Sequence, residues 1–373
     1  MSVYGGPEIV SNGLVFGYDM GNTKSWKGAP VTNEAKNVSN QIDWVIGNLD
    51  QAVSRSEIVP NESYYISSSS LTGTSFRIYF TNATLVNGST YTVSYKYRII
   101  SGGPLFFAND WCDTGITRVT TDLGGGVFYE TATGTRATYD VTFRFLDLQI
   151  SNNTIVQIWD LQLELGSFAT PYSSTRVRSN TQAILDSTGL NTVTATSLTY
   201  NSNNTFSFNG STNHIITTNT GMSHGTGDFS YSCWVKFAGL PGLGTIFENG
   251  FYYAGILIRF QTNIIAIYAQ YSTTSYVNSF SFTPTIGQWY NLVITRVGNN
   301  LLLYSNGILQ STITFGTSIN VVPGNNLMYI GMSQHAAGQC FQGEIAHASM
   351  YSKALTSSEI SQNFNALRSR FGV

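Results

Sequence analysis

The stretch Gly287 to Gln310, GQWYNLVITRVGNNLLLYSNGILQ, narrows the fold more than any other part of the chain. Trp289 to Val297 is dense in aromatic and β-branched residues, the types that suit a pleated and half-buried surface. Gly298-Asn299-Asn300 supplies turn chemistry before a return strand at Leu301 to Tyr304. Asn306-Gly307 then sits between two apolar runs, where a type I′ turn needs φ above zero at both central residues. Two strands joined by one tight turn and closed by a second predict an antiparallel sheet.

Strand signals recur along the chain. Phe229, Tyr231, Cys233, Val235 and Phe237 fall on one face of a run opened by Gly227-Asp228, and that face is expected in the core. Gly255 to Phe260 and Ile264 to Tyr268 flank Gln261-Thr262-Asn263 and are apolar on both faces, as central strands covered on each side should be. Tyr91 to Arg98 and Tyr139 to Phe145 alternate strictly, which predicts strands with one buried and one wet face in an antiparallel sandwich. The helix signal is C-terminal: Thr356-Ser357-Ser358-Glu359 has the capping-box pattern, and Ile360, Phe364 and Leu367 form an apolar stripe behind it.

A length of 373 residues accommodates two ordinary domains. Only 10% of residues are Asp, Glu, Lys or Arg, against roughly a quarter in an average domain. With 13% aromatic residues, this is the profile of an all-β protein whose surface is made polar by Ser, Thr and Asn. Such a surface serves solubility alone, or a particle surface or sugar-binding face, and composition does not choose between them. A net charge of −2 without any Lys/Arg run leaves no footprint for nucleic acid. No apolar run reaches the length of a membrane span, and the N-terminal residues lack a basic segment followed by an apolar one. Neither membrane insertion nor a secretory leader is therefore expected, and synthesis in a cytosol is. Cys112, Cys233 and Cys340 are odd in number and widely spaced, so they read as small core hydrophobes.

Trp289 with Thr295-Arg296, then Tyr304-Ser305-Asn306-Gly307, Ile330-Gly331 and Phe341-Gln342-Gly343-Glu344-Ile345, is an ordered set that resembles laminin-G-like members of the concanavalin A-like lectin/glucanase superfamily. The resemblance covers roughly Thr199 to Phe371; Asn291 stands where many relatives have His. Gly13 to Asn22, GLVFGYDMGN, resembles the opening of structural proteins of tailed bacteriophages, where it runs on through a D-x-S-G-N-G stretch into a laminin-G-like domain. Here that continuation reappears only at Asp186 to Asn191, followed by Thr205 to Ile215, TFSFNGSTNHI. Asp160 to Tyr172, with the pattern D-x-Q-L-E-x-G-x-x-A-T-P-Y, is similar to the last strand of galactose-binding-like and family 4/9-type carbohydrate-binding jelly rolls in phage tail and virion proteins.

These resemblances imply an all-β chain of two antiparallel β-sandwich (jelly-roll) domains, one inserted into the other, closed by a C-terminal helix. Residues 1–8 form an N-terminal arm, 9–35 the first segment of the concanavalin A-like domain, 36–178 the inserted jelly roll and 179–373 the remainder. An insertion is tolerable where its two ends lie close together.

The superfamily includes glucanases, which place paired carboxylates on one strand. From Thr199 onward this chain has only Asp228, Glu248, Glu344 and Glu359, no two within five residues. Glu359 is assigned to the helix cap and Glu344 to an exposed strand position. His214, His224, His335 and His347 have no metal-pair spacing, and no G-x-S-x-G elbow or P-loop occurs. No catalytic residue is therefore assigned, and no cofactor is required. Structural Ca²⁺ is the ion such jelly rolls carry in loops, with Asp19 and Asp160 as candidates, each equally suited to capping a turn. Rings that could stack on a sugar are Phe106 and Trp111, with Asn109 and Asp113 beside them, in the insert, and Tyr252, Tyr253 and Tyr271 in the outer domain. In a chain this aromatic, core or inter-subunit contacts account for them equally.

The expected function is that of a non-catalytic structural protein on a tailed-phage virion surface, in capsid or tail, giving weak multivalent attachment to host-surface glycans. A purely architectural cementing protein is the second reading, and a polysaccharide depolymerase the third. Other virion proteins and copies of this chain, a trimer among them, are the expected partners.

Overall fold

In a computed structural model, the structure describes residues 8–373 apart from 23, 29–30, 37–43, 48–52, 61, 69–75, 81–84, 103–104, 109–111, 137–142, 151–152, 202, 241, 252–253, 272–273, 316–318 and 335–337. The chain is all-β: among the described residues there are two helices, Asn180–Ala183 and Ser357–Phe371, and the strands are paired antiparallel. It divides into two compact units, one of residues 28–179 with 1–2 and one of 3–27 with 180–373.

The unit of residues 3–27 and 180–373 holds an eight-stranded and a seven-stranded sheet. In the first, Gln342–Tyr351 pairs with Leu14–Asp19, Thr205–Asn209 and Phe229–Phe237, and the last leads on to Trp289–Val297, Asn300–Ser305 and Ile308–Thr314. The predicted hairpin is present in that register: Val297 pairs with Asn300 across Gly298-Asn299, and Ser305 with Ile308. Asn306 and Gly307 have φ of 51° and 77°, both positive, as a type I′ turn demands. Gly307 has a second constraint, since a Cβ there would lie 3.2 Å from the Phe364 ring.

Phe229, Tyr231, Cys233, Val235 and Phe237 are all buried. They face the seven-stranded sheet, with Tyr231 against Phe247 at 5.4 Å and Phe237 against Phe260 at 5.1 Å between ring centroids. The opposite face of the same strand is also covered. Trp234, fully buried, stacks on Phe371 at 4.3 Å and Phe364 at 5.7 Å, both from the C-terminal helix. That helix starts at Thr356, whose hydroxyl accepts from Glu359 N while Glu359 reaches back to Thr356 N, a complete capping box. Ile360 inserts among Val10, Val293, Tyr304, Tyr351 and Leu355.

Thr295-Arg296, prominent in the sequence, tie loops together. Thr295 Oγ1 accepts from Ser230 and donates to Phe229 O. Buried Arg296 donates to the Gly298 and Gly225 carbonyls, and Asp228 accepts from Gly298 N. Glu344 differs from expectation. It is half-buried and paired with Lys236 at 2.5 Å, because the neighbouring strand brings a lysine alongside it.

The unit of residues 28–179 contains a six-stranded sheet, a four-stranded sheet and a short pair. The six-stranded sheet is ordered Val53–Val59, Ser63–Ser68, Ile155–Leu165, Thr90–Ser101, Val127–Arg136 and Cys112–Gly124. Its inner face carries Ile66, Val93, Tyr95, Val156 and Ile158. The other face of Thr90–Ser101 is not uniformly wet as its alternation predicts: Thr92 and Ser94 are 1% and 3% exposed. The cover is the segment that follows Leu165, where Gly166 O accepts from Thr92 Oγ1.

The D-x-Q-L-E…A-T-P-Y pattern is the chemistry of that cover. Buried Gln162 donates to Glu164 Oε1 at 2.8 Å and Thr170 Oγ1 at 3.0 Å, and accepts from Ser173 N at 2.7 Å. Glu164 accepts from Thr170 N and Oγ1, each at 2.8 Å. Burial pushes its carboxyl above the ordinary range, against those hydrogen bonds and the Arg178 charge. Arg178 donates to Thr170 Oγ1 and Pro171 O, and Asn33 Oδ1 accepts from Leu163 N. Entry and exit strands also meet, Val31 pairing with Arg178 and Thr32 with Val177. Residues 28–35, on the outer-domain side of the sequence boundary, group with residues 36–179 for this reason.

Candidate functional site

A polar cleft in the unit of residues 3–27 and 180–373 is built from two turn-rich segments, TTNTGMS at 217–223 and PGNNL at 323–327. The first follows strand His214–Thr218 and the second precedes Leu327–Ile330, and these two strands pair. Neither segment has a charged residue, so the cleft of ≈ 520 Å³ between them is lined by Thr218, Asn219, Thr220, Ser223, Pro323, Asn325 and Asn326.

A buried network fixes its floor. Asn219 Nδ2 donates to Asn249 Oδ1 at 3.1 Å and to Asn325 O at 2.9 Å. Asn249 Nδ2 donates to Met222 O and to Tyr231 OH, which meets His224 Nε2 at 3.0 Å. Asn325 Nδ2 donates to Gln334 Oε1, and Gln334 N to Glu248 Oε2 at 2.6 Å. Burial, with the Arg296 charge adding to it, pushes the His224 pKa down to about 4, so the imidazole is neutral near pH 7. A hydrogen-bonded floor of amides and a phenol holds the lining in place. Its exposed hydroxyls and amides can donate and accept, which is the chemistry that recognises sugar hydroxyls.

The acids of this unit are engaged elsewhere. Asp186 Oδ1 accepts from Gly17 N, and Oδ2 from Thr188 Oγ1, Asn191 N and Asn191 Nδ2. The D-S-T-G-L-N stretch is thus a clip that holds the N-terminal strand. Glu359 is in the helix cap, where the Lys353 and Thr356 N–H hydrogen bonds hold its carboxyl below the ordinary range. Among the described residues no three His, Cys, Asp or Glu side chains converge as metal ligands would.

Of the calcium candidates, Asp19 Oδ1 accepts from Gly21 N and pairs with the Arg370 guanidinium. Asp160 Oδ2 pairs with Lys96 Nζ at 2.7 Å. Each carboxylate already has a cation against it. Phe106 lies in strand Leu105–Ala108, Asp113 in Cys112–Gly124 and Tyr271 at the end of Ile264–Tyr271, all through backbone pairing. Asn109, Trp111, Tyr252 and Tyr253 lie outside the described residues. Neither Asp19 nor Asp160 lines the cleft. Its lining was missed because Thr and Asn in turns look the same whether they cap a turn or face a ligand; the pairing of charge-free turn segments is the signal that was there.

No curated protein matches the sequence. Among solved structures, the chain is similar to the binding domain of botulinum neurotoxin DC in complex with rat synaptotagmin II, at 21% identity over 51% of this chain and 50% of that one, with a TM-score of 0.42. It is also similar to a structure titled for the dependence of botulinum neurotoxin type C cell entry on two ganglioside molecules, at 19% identity over 51% and 50%, with a TM-score of 0.41. The chain spans about half the length of these structures. Residues 208–361 match the family model described as the concanavalin A-like lectin/glucanases superfamily, and this part of the chain is similar to the laminin-G-like domains of that superfamily.

Proposed function

We propose that this chain is a non-catalytic glycan-binding protein of a tailed-phage particle, displayed in several copies on capsid or tail, where weak single sites gain avidity against host-surface glycans. The observation that carries glycan binding is the charge-free cleft at Thr218–Ser223 and Pro323–Asn326 on a lectin-like sandwich. Non-catalysis is supported by the acids. From residue 180 onward Asp186, Asp228, Glu248, Glu344 and Glu359 each hold a backbone amide, a cation or a cap, and none of these five is left to pair as acid and nucleophile. The virion setting rests on the Gly13–Asn22 opening and the Asp160–Tyr172 ending.

The test is a glycan array with the whole protein beside Ser223→Trp, which fills the cleft from an exposed position. Binding that the substitution removes supports the reading, and an array without signal at high protein concentration sinks the glycan part. Release of reducing sugar from host polysaccharide would overturn non-catalysis. Immunolabelling of particles decides the virion part.

A further inference from the structure

The polar network under the cover of the inserted unit sets a hydroxyl, a carboxamide and a carboxyl against one another, out of reach of water. Gln162, Glu164 and Thr170 are 0%, 2% and 8% exposed, and Ser173 and Arg178 are 6% and 5%. The direction of one proton is forced. Gln162 Nε2 and Arg178 Nη2 both donate to Thr170 Oγ1, at 3.0 and 2.9 Å, so the hydroxyl's own hydrogen goes to Glu164 Oε2 at 2.8 Å. The other oxygen of that carboxyl, Oε1, lies 2.8 Å from Gln162 Nε2. Glu164 therefore bridges the hydroxyl oxygen and the amide nitrogen.

These are the parts of an acyl transfer. Thr170 Oγ1 stands as nucleophile, Glu164 as the base that takes its proton, and Gln162 Cδ as the carbon attacked. Burial raises the Glu164 carboxyl, which brings it closer to a hydroxyl proton than an ordinary carboxylate is. Ser173 N donates to Gln162 Oε1 at 2.7 Å, where negative charge develops as the carbon becomes tetrahedral. Arg178 steadies Oγ1 as that oxygen loses its proton. The carbon is one bond, about 1.3 Å, beyond the Nε2 that Oγ1 already touches, and a turn of the carboxamide about Cγ–Cδ presents its face to Oγ1. Nε2 has four acceptors within 3.4 Å, Thr170 O and Pro171 O besides Oγ1 and Glu164 Oε1, for the two hydrogens of an amide, so the group is not locked to one pairing.

We infer that Thr170 and Gln162 join in an internal ester, formed by the folded chain itself. Oγ1 bonds to Cδ while its proton passes to Glu164. The Cδ–Nε2 bond then breaks, and the same proton goes on to the nitrogen, which leaves as ammonia. One hydroxyl and one carboxamide give one ester and one ammonia, with Glu164 restored and no outside reactant. Ammonia escaping to solvent makes the step one-way, and burial keeps water from the ester. The bond closes Gln162 to Thr170 into a ring, so the segment over Thr92 and Ser94 is tied to strand Ile155–Leu165 by a covalent link as well as by hydrogen bonds. This link does not depend on the Thr218–Asn326 cleft.

The test is the intact mass of the whole purified protein. The expected value is about 17 Da below that of the sequence, the mass of one ammonia. In a tryptic digest, residues 145–176 form one peptide that carries both partners. That peptide should show the same deficit and give no backbone fragments between Gln162 and Thr170. Thr170→Ser, which keeps the nucleophile, should keep the deficit, whereas Thr170→Val and Glu164→Gln should run at their full sequence masses. Unchanged circular dichroism in Thr170→Val separates a lost reaction from a lost fold. A protein at its full sequence mass overturns the inference. A deficit that survives in Thr170→Val overturns it too, since the ammonia then comes from another amide.

Discussion

The outer faces of two sheets, one in each unit, begin from the same sequence pattern and end differently. In Phe229–Phe237 the outward residues are Ser230, Ser232, Trp234 and Lys236; in Thr90–Ser101 they are Thr92, Ser94, Lys96 and Arg98. Small hydroxyls come first and a cation ends both rows. In the lectin-like unit a helix of 15 residues lies across the row, and Trp234 is sealed under Phe364 and Phe371. In the inserted unit the cover is a short irregular segment that stops over Thr92 and Ser94, leaving Lys96, Arg98 and Trp159 in reach of solvent. A half-buried tryptophan and a core tryptophan therefore come from similar strands. What decides between them is how far the covering segment extends.

The comparison breaks most readily at Trp234. Truncation to Ala removes an indole held between two rings and leaves a cavity, with an expected cost of about 3–5 kcal/mol. Chemical denaturation followed by hydrogen exchange should show protection lost in Phe229–Phe237 and Trp289–Val297 while Thr90–Ser101 keeps its own. Equal loss in both units would show that they unfold as one.

Acid should separate the units next. His224 has its pKa lowered to about 4 from an ordinary 6.5, so the folded state binds fewer protons than the unfolded one. Its contribution is whole above pH 6.5 and lost as pH falls towards 4, on the order of 3 kcal/mol at 1.36 kcal/mol per unit. Buried His347, also lowered, acts in the same direction. Glu164 in the other unit has the opposite sign: its raised pKa favours the folded state at low pH and loses that advantage as pH rises through it. Lowering pH from 6.5 to 4.5 should thus weaken exchange protection in the lectin-like unit alone, and His224→Gln should flatten that dependence.

Much of this fold could be read from residues because the signals were local. Asn306-Gly307 names its turn, Thr356 with Glu359 names its cap, and Phe229 to Phe237 names its inner face. Thr92 and Ser94 were misread because alternation reports which side a residue faces and not what lies over that side. The cover comes from Gly166 to Ser173, more than 70 positions along the chain. The cleft was illegible for a related reason: Asn219 and Asn325 meet only after two strands pair. Asp160 was visible as an acid, yet the lysine that neutralises it comes from a strand 64 residues earlier.

Within the inserted unit, Gln162→Ala should cost about 1–3 kcal/mol, since it strands Ser173 N and removes a donor to buried Glu164. Thr356→Ala in the other unit should cost about 1 kcal/mol, the worth of one N-cap. Both are read as midpoint shifts in urea. If Gln162→Ala also uncovers Thr92 and Ser94 to exchange, the segment is a cover held by that amide.

The smallest expected effect on stability is also the sharpest contrast. Trp159→Ala should change the unfolding free energy by no more than about 1 kcal/mol, because a half-exposed ring with no stacking partner leaves no closed cavity when removed. Set beside Trp234→Ala, the same truncation on an equivalent strand face would then differ several-fold in cost. Urea midpoints of the two variants make the comparison. A loss at Trp159 as large as that at Trp234 would mean its face is packed shut in solution, by a second copy of the chain or by the segment itself. A small loss leaves a tryptophan that the fold holds in place and does not need.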